Sequence, residues 1–204
     1  MSTSGSFLYT PHGPARVELH RATAGRAWLL LGHGAGGSLE APDLIAARLG
    51  ALAAGVHVAL VEQPYRVAGR RLPPSAGQLD TAWLTVVEAL RASELAGLPL
   101  IFGGRSSGAR VACRTSAEGE AHAVLCLAFP LRPPGKPEKT RRAELDDVRA
   151  PTLVIQGEAD PFGRPGLTAG RELVLLRGNH SLKADLEGVR NWVHDWLSQI
   201  VPPT

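Results

Sequence analysis

The chain has 204 residues, 44% of them hydrophobic and 20% charged, which is enough to bury one full core. No apolar run reaches the roughly 18 residues that a membrane-spanning helix needs, and residues 1–13 lack the features of a signal peptide. The net charge is +3, but most of the basic residues are dispersed rather than clustered as in nucleic-acid binders. Cys113 and Cys126 lie in apolar surroundings that suit buried thiols. We therefore expect a single cytoplasmic domain over 1–204, with neither a nucleic acid nor a membrane as partner.

Short runs rich in Leu and Val alternate with segments of helical spacing. The predicted strands are 15–20, 27–31, 56–61, 98–102, 123–128, 152–156 and 172–176, with the first at a sheet edge. The predicted helices are 42–54, 78–96, 107–117 and 183–200. Runs that are apolar throughout are typical of strands buried on both faces of a parallel sheet. The pattern predicts an α/β protein with a mostly parallel central sheet and helices on both faces.

A G-x-S-x-G sequence follows the predicted strand 98–102. Gly104, Ser106 and Gly108 form this motif, which is typical of a tight turn that projects a nucleophilic serine above the sheet. The helix that begins at Ser107 would direct its backbone N–H groups towards negative charge beside Ser106. The alternative is that Ser106 only caps this helix.

Two further loops after predicted strands carry the partners that a serine nucleophile needs. Asp160 follows strand 152–156, and His180 follows strand 172–176. A serine needs an imidazole to take its proton and a carboxylate to hold that imidazole in the right tautomer. The chain order Ser106, Asp160, His180 is that of the α/β-hydrolase triad. We therefore predict these three as catalytic residues, although each alone could be a turn former or a structural residue.

A glycine-rich turn, Gly-His-Gly-Ala-Gly-Gly at 32–37, follows the strand 27–31. An acyl-transfer site needs a second backbone N–H from such a loop. We assign the oxyanion hole to the N–H groups of Ala35 and Ser107, with Gly36 as a further donor. His33, Gly36 and Arg105 are predicted to border the substrate.

The same turn also matches G-x-G-x-x-G through Gly32, Gly34 and Gly37. Glu62 ends the next strand, roughly where a dinucleotide-binding protein places its ribose-binding acid. An oxidoreductase therefore stays open as the less favoured interpretation, because it leaves the three triad candidates unexplained. No group of residues has metal-ligand spacing, and we expect no metal and no cofactor.

With these motifs in place, the chain resembles the α/β-hydrolase superfamily. More narrowly, it is similar to the small branch that contains testis-expressed protein thirty and the hydrolase-like domain of the NSL acetyltransferase complex. The segments that carry the resemblance are 32–37, 62–65, 103–110, 129–131, 134–139, 156–157, 160–163 and 179–181. The resemblance implies a sheet of about seven strands and a serine-hydrolase site. Dienelactone hydrolases are similar in size but carry Cys where this chain has Ser106.

Only residues 130–151 separate two neighbouring predicted strands at the position where larger hydrolases insert a cap. This length predicts a protein with no cap domain and an open pocket. Arg105 and a basic run (Arg132, Lys136, Lys139, Arg141 and Arg142) are predicted to border the pocket and to favour an anionic substrate, unless Arg105 only pairs with an acid. The expected partner is a small acyl compound, and the expected state is a monomer or homodimer. Trp192 and Trp196 suit either a dimer face or packing in the core. The alternative function is a non-catalytic interaction module.

Overall fold

The centre of the protein is an eight-stranded sheet in a computed structural model that describes residues 5–95, 97–133, 135–136 and 138–201. The strands are β1 (Gly5–Thr10), β2 (Gly13–His20), β3 (Trp28–Gly32), β4 (His57–Glu62), β5 (Leu100–Arg105), β6 (Ala123–Leu127), β7 (Thr152–Gly157) and β8 (Arg171–Leu176). Their order in the sheet is β1-β2-β4-β3-β5-β6-β7-β8. Strands β3 to β8 run parallel, whereas β2 pairs antiparallel with both β1 and β4.

One strand was missing from the prediction. Strand β1 is half exposed, with Phe7 55% and Tyr9 83% exposed, so it lacks the continuous apolar run of the buried strands. Its presence places β2 inside the sheet, and the prediction of an edge strand at 15–20 was wrong.

Helices cover both faces of the sheet. The helices are α1 (Pro42–Ala53), α2 (Pro64–Val67), α3 (Ala76–Arg91), α4 (Ser107–Thr115), α5 (Arg142–Asp146) and α6 (Leu186–Ile200). On one face, α1 and α6 bury Leu44, Val189 and Val193 against the sheet. On the other face, α3 and α4 bury Trp83 and Ala112. This arrangement confirms the predicted architecture.

Helix boundaries follow local capping. Ser75 accepts a hydrogen bond from the N–H of Gln78 at the start of α3, and Asp185 accepts one from Gly188 at the start of α6. The predicted helix 78–96 ends earlier than expected, at Arg91, and the chain then turns to bury Leu95. Ala96, at the end of this prediction, lies outside the described residues, as do Pro134 and Pro137 in the segment 134–139.

The aromatic pair in α6 is divided between core and surface. Trp196 packs in the core, whereas Trp192 is 44% exposed. No helix in the described part of the chain has both the length and the apolar character needed to cross a bilayer.

The connection from β6 to β7 contains one described helix, the five-residue α5. No cap covers the sheet there in the described residues. The carboxyl ends of the parallel strands therefore lie open at one edge of the sheet, where ligands of such folds usually bind.

Candidate active site

Ser106 lies in a strained turn between β5 and α4. Its backbone angles are φ 53° and ψ −106°, in a region that non-glycine residues rarely adopt. Its N–H donates to the carbonyl of Leu127 at the end of β6, 2.9 Å away. This bond fixes the turn to the neighbouring strand, so the serine side chain projects from the carboxyl edge of the sheet.

The glycines on either side of Ser106 are needed for space. A Cβ on Gly104 would lie 2.6 Å from the carbonyl oxygen of Gly32, and a Cβ on Gly108 would lie 2.3 Å from the same atom. Both distances are far below contact distance, and the atom they meet belongs to the backbone of β3. The close approach of β5 and α4 to β3 therefore requires glycine at both positions.

The structure brings Ser106, His180 and Asp160 together in series. His180 Nε2 lies 2.9 Å from Ser106 Oγ, and His180 Nδ1 lies 2.8 Å from Asp160 Oδ2. Because the carboxylate can only accept, Nδ1 carries the ring proton, and Nε2 is left to accept the hydroxyl proton of Ser106. This is the arrangement that general-base activation of a serine needs.

Asp160 is held rigidly beneath the histidine. Its side chain is fully buried, its Oδ1 accepts from the N–H of Phe162 at 2.8 Å, and its Oδ2 accepts from Gln156 Nε2 at 2.7 Å. The ring of Phe162 meets the His180 ring edge-on, with centroids 4.4 Å apart. These contacts fix both the carboxylate and the plane of the imidazole.

The loop after β3 presents its backbone beside Ser106. The carbonyl of Gly34 accepts from His33 Nδ1 at 2.7 Å and from the N–H of Gly37 at 3.0 Å. In a trans peptide the N–H points opposite to the carbonyl, so these two donors also set the direction of the Ala35 N–H. Among the described residues, neither the N–H of Ala35 nor that of Ser107 donates a hydrogen bond. Both N–H groups are thus available to a ligand.

His33 is not among the residues that line the cavity beside Ser106, which corrects the sequence prediction. The residue is 3% exposed, and its Nε2 accepts from the N–H of Gln63 at 3.0 Å while its Nδ1 donates to Gly34. Burial lowers the pKa of His33, consistent with a neutral ring that bridges two backbone groups. His33 therefore positions the loop.

Tyr65 is a site residue that the sequence prediction missed. Its hydroxyl donates to the carbonyl of Ala35 at 2.5 Å. This bond orients the peptide between Ala35 and Gly36, as His33 orients the one before it. Burial raises the pKa of Tyr65 to about 12, so the hydroxyl stays a donor. Its segment, 62–65, carries part of the family resemblance, but the sequence alone indicates no role for the ring.

A cavity of about 350 Å³ opens over the serine. It is lined by Ala35, Gly36, Pro73, Arg105, Ser106, Ser107, Arg110, Pro130, Arg141, Phe162 and His180. Arg105 lines it as predicted, but its Nε is 2.7 Å from Asp43 Oδ2, and its Nη2 donates to the carbonyl of His180 at 3.3 Å. Arg105 is thus already paired with a buried acid.

The dinucleotide interpretation does not fit the structure. That fingerprint needs its glycines to open a helix directly, whereas α1 begins at Pro42, well after Gly37. Glu62 instead accepts from Arg16 Nε at 2.9 Å.

The fold and the geometry of the site together place the protein in the α/β-hydrolase class. The family model described as an alpha/beta hydrolase domain matches residues 25–190, and the chain belongs to this family.

Solved structures share the fold at low sequence identity. A serine hydrolase without a lid from Xanthomonas campestris is 22% identical with a TM-score of 0.81, covering 100% of this chain and 97% of that one. Dienelactone hydrolase from Anabaena variabilis is 19% identical with a TM-score of 0.78, covering 97% of each chain. Est1E from Butyrivibrio proteoclasticus is 15% identical with a TM-score of 0.77, covering 99% of this chain and 100% of that one.

Proposed function

We propose that the protein is a serine hydrolase that cleaves a small ester or thioester. The observation that carries this proposal is the continuous chain of hydrogen bonds from Ser106 through His180 to Asp160, 2.9 Å and 2.8 Å long. Asp160 stabilises the imidazolium that forms during the reaction and keeps the ring in place.

In the first half of the reaction, Ser106 Oγ attacks the acyl carbon while its proton passes to His180 Nε2. The bond from the acyl carbon to the leaving oxygen or sulfur then breaks, and His180 returns the proton to the leaving group. In the second half, water attacks the acyl-serine, again giving its proton to His180, and the proton passes back to Ser106 Oγ as the acid departs. The overall reaction consumes one water and restores the enzyme.

The negative oxygen formed in each half would accept from the N–H groups of Ala35 and Ser107, with Gly36 as a further donor. The orientation of the loop peptides by His33, Gly37 and Tyr65 supports this assignment, because donors that are fixed beforehand stabilise developing charge most strongly. The site contains all the groups that the chemistry needs, and no cofactor enters the proposed reaction.

The size and openness of the cavity support a small acyl substrate. The cavity of about 350 Å³ is at the lower end of the range for small-molecule sites. Among proteins of the same fold, one is named a dienelactone hydrolase and another is described with ferulic acid bound.

We also propose a cytoplasmic location and membership of the narrower branch that contains testis-expressed protein thirty. The buried, free thiols of Cys113 and Cys126 suit a reducing compartment. Two of the segments that carry the resemblance, 32–37 and 103–110, form the loop and the turn around Ser106.

A fluorophosphonate probe tests the nucleophile. The wild-type protein should form one covalent adduct, which peptide mapping should locate at Ser106. Ser106→Ala should abolish the adduct while changing the free energy of unfolding by no more than about 1 kcal/mol. Ser93→Ala, an exposed serine after α3, is the matched control and should label fully. A folded wild-type protein that forms no adduct would instead support the non-catalytic interaction module.

A further inference from the structure

Arg141 stands out among the cations of the cavity because no acid in the described part of the chain pairs with it. It is half-buried and lines the cavity together with Ser106 and His180. Within the described residues, no carboxylate oxygen lies within 4.0 Å of its guanidinium nitrogens. A guanidinium that faces a substrate cavity without a counter-ion is suited to bind an anion.

The neighbouring arginines are already neutralised. Arg110 holds Glu144 through two hydrogen bonds of 2.8 and 2.5 Å, and Arg114 holds Asp80 through two of 2.8 and 2.6 Å. These four charges cancel, so the positive charge of Arg141 is in excess.

The charges around Arg141 also favour the binding of an anion. Burial, and next the positive charge of Arg110, lowers the pKa of Arg141, while the negative charge of Glu144 acts in the opposite direction. An arginine guanidinium stays charged in proteins at neutral pH. A bound anion would relieve both the repulsion and the loss of hydration.

Arg141 is also held in place for such a contact. Its backbone N–H donates to the carbonyl of Leu131 at 2.8 Å, and its Nη1 donates to the carbonyl of Pro130 at 3.2 Å. A guanidinium has five N–H donors, and among the described residues only this one is used by the side chain. The remaining donors suit the two oxygens of a carboxylate.

The rest of the cavity wall suits a short hydrocarbon chain. Pro73, Pro130 and Phe162 supply apolar surface to the cavity that Ser106 and Arg141 also line. An acyl chain that ends in a carboxylate would therefore place its reacting carbonyl at Ser106, its methylene groups on this apolar wall and its charged end at Arg141.

We propose that Arg141 binds a carboxylate on the acyl chain of the substrate, so that the favoured substrates are monoesters of short dicarboxylic acids. This inference rests on the proposed function and names the substrate class of the same site. It also replaces Arg105 by Arg141 as the anion-binding residue, because Arg105 is occupied by Asp43.

A matched pair of esters tests the proposal. Monophenyl glutarate and phenyl valerate share the leaving group and the chain length but differ in the terminal carboxylate. With uncatalysed hydrolysis subtracted, kcat/KM of the wild-type protein should be at least about tenfold higher for the glutarate ester, as expected for hydrogen bonds to a charged group. The preference should shrink as salt is raised from 0.05 to about 0.5 M.

Arg141→Gln should remove this preference, lowering kcat/KM about tenfold for the glutarate ester and less than about twofold for the valerate ester. Of the basic run predicted to border the pocket, Arg141 lines the cavity, whereas Arg132, Lys136, Lys139 and Arg142 do not, which corrects that prediction. Arg142→Gln is therefore the matched control: it makes the same charge change one residue away, but Arg142 pairs with Asp146 on the surface. It should leave both rates unchanged. Equal rates for the two esters in the wild-type protein, or an equal effect of both variants, would overturn the proposal.

A binding experiment separates this proposal from the proposed function. In the Ser106→Ala background, calorimetry with monophenyl glutarate should show binding that Arg141→Gln weakens about tenfold and Arg142→Gln does not. Binding without turnover by the wild-type protein would retain the anion site and reject the hydrolase. Turnover of both esters without any effect of Arg141→Gln would retain the hydrolase and reject the anion site.

Discussion

Arg105 Nε lies 2.7 Å from Oδ2 of Asp43, whose side chain is only 1% exposed. Arg105 ends β5, directly before the serine, and its Nη2 also reaches the carbonyl of His180. This ion pair therefore joins the start of α1, the turn at Ser106 and the histidine loop. Burial raises the pKa of Asp43, so the carboxylate depends on Arg105 for its charge.

Removing one partner of this pair should be costly. Asp43→Asn leaves the guanidinium without a counter-charge, and we expect a loss of about 3 kcal/mol in the free energy of unfolding, measured in urea. The double change of Asp43→Leu with Arg105→Met should restore much of the loss, since a buried ion pair contributes little net stability. Asp147→Asn, at an exposed aspartate after α5, serves as control and should have little effect.

The close packing of the turn at Ser106 against β3 can be tested by replacing glycines. Gly108→Ala would place a Cβ 2.3 Å from the Gly32 carbonyl oxygen, and we expect more than about 3 kcal/mol of destabilisation or failure to fold. Gly77→Ala in α3 meets no atom within 4 Å and should be neutral or stabilising by up to about 1 kcal/mol. Thermal unfolding of the two variants side by side measures this contrast. Equal stability of both would contradict the packing described between α4 and β3.

Tyr65→Phe removes the hydroxyl that orients the Ala35 carbonyl. We expect kcat to fall about tenfold with little change in KM, because fixed N–H donors act mainly on the transition state. The free energy of unfolding should drop by about 1 kcal/mol. Steady-state kinetics with monophenyl glutarate, with Tyr9→Phe on the exposed strand β1 as control, distinguish positioning from a purely structural role. A structural role would lower stability and leave kcat unchanged.

Acid should destabilise the protein through His33. Burial lowers the folded-state pKa below 6.5, so below pH 6.5 the unfolded chain binds a proton that the folded protein does not. The free energy of unfolding therefore decreases as the pH is lowered below 6.5, by up to about 1.4 kcal/mol per pH unit for this one histidine. His20 and His57, whose pKa values burial also lowers, add in the same direction.

Urea titrations at several pH values between 5.5 and 7.5 measure this slope. His33→Gln should make the slope shallower, because it removes a group whose pKa burial lowers. An unchanged slope in His33→Gln would show that His33 does not titrate differently in the two states.

The parts of the fold and site that follow from local sequence were predictable. Each buried parallel strand is a continuous apolar run, and the residue that follows a strand lies at its carboxyl end. The sequence alone therefore indicated that Ser106, Asp160 and His180 share one edge of the sheet. Strand β1 was not predicted because most of its side chains are exposed and it is stabilised by pairing with β2.

Residues whose role depends on distant partners were not predictable. The sequence cannot show that both ring nitrogens of His33 bind backbone groups, one of them thirty residues away at Gln63. Nor can it show that Asp43 pairs with Arg105 while no acid among the described residues pairs with Arg141. The role of each of these residues depends on tertiary contacts, because a charge is neutralised by groups that are close in the folded structure and can be distant in the sequence.

The open carboxyl edge of the sheet limits how the protein can distinguish one ligand from another. With no helical cover among the described residues, bulk solvent reaches the serine directly, and the protein cannot discriminate by enclosing its ligand. Recognition must then come from charge and shape complementarity with the residues that line the open cavity, so compounds that differ only in parts projecting away from that lining should be hydrolysed at similar rates.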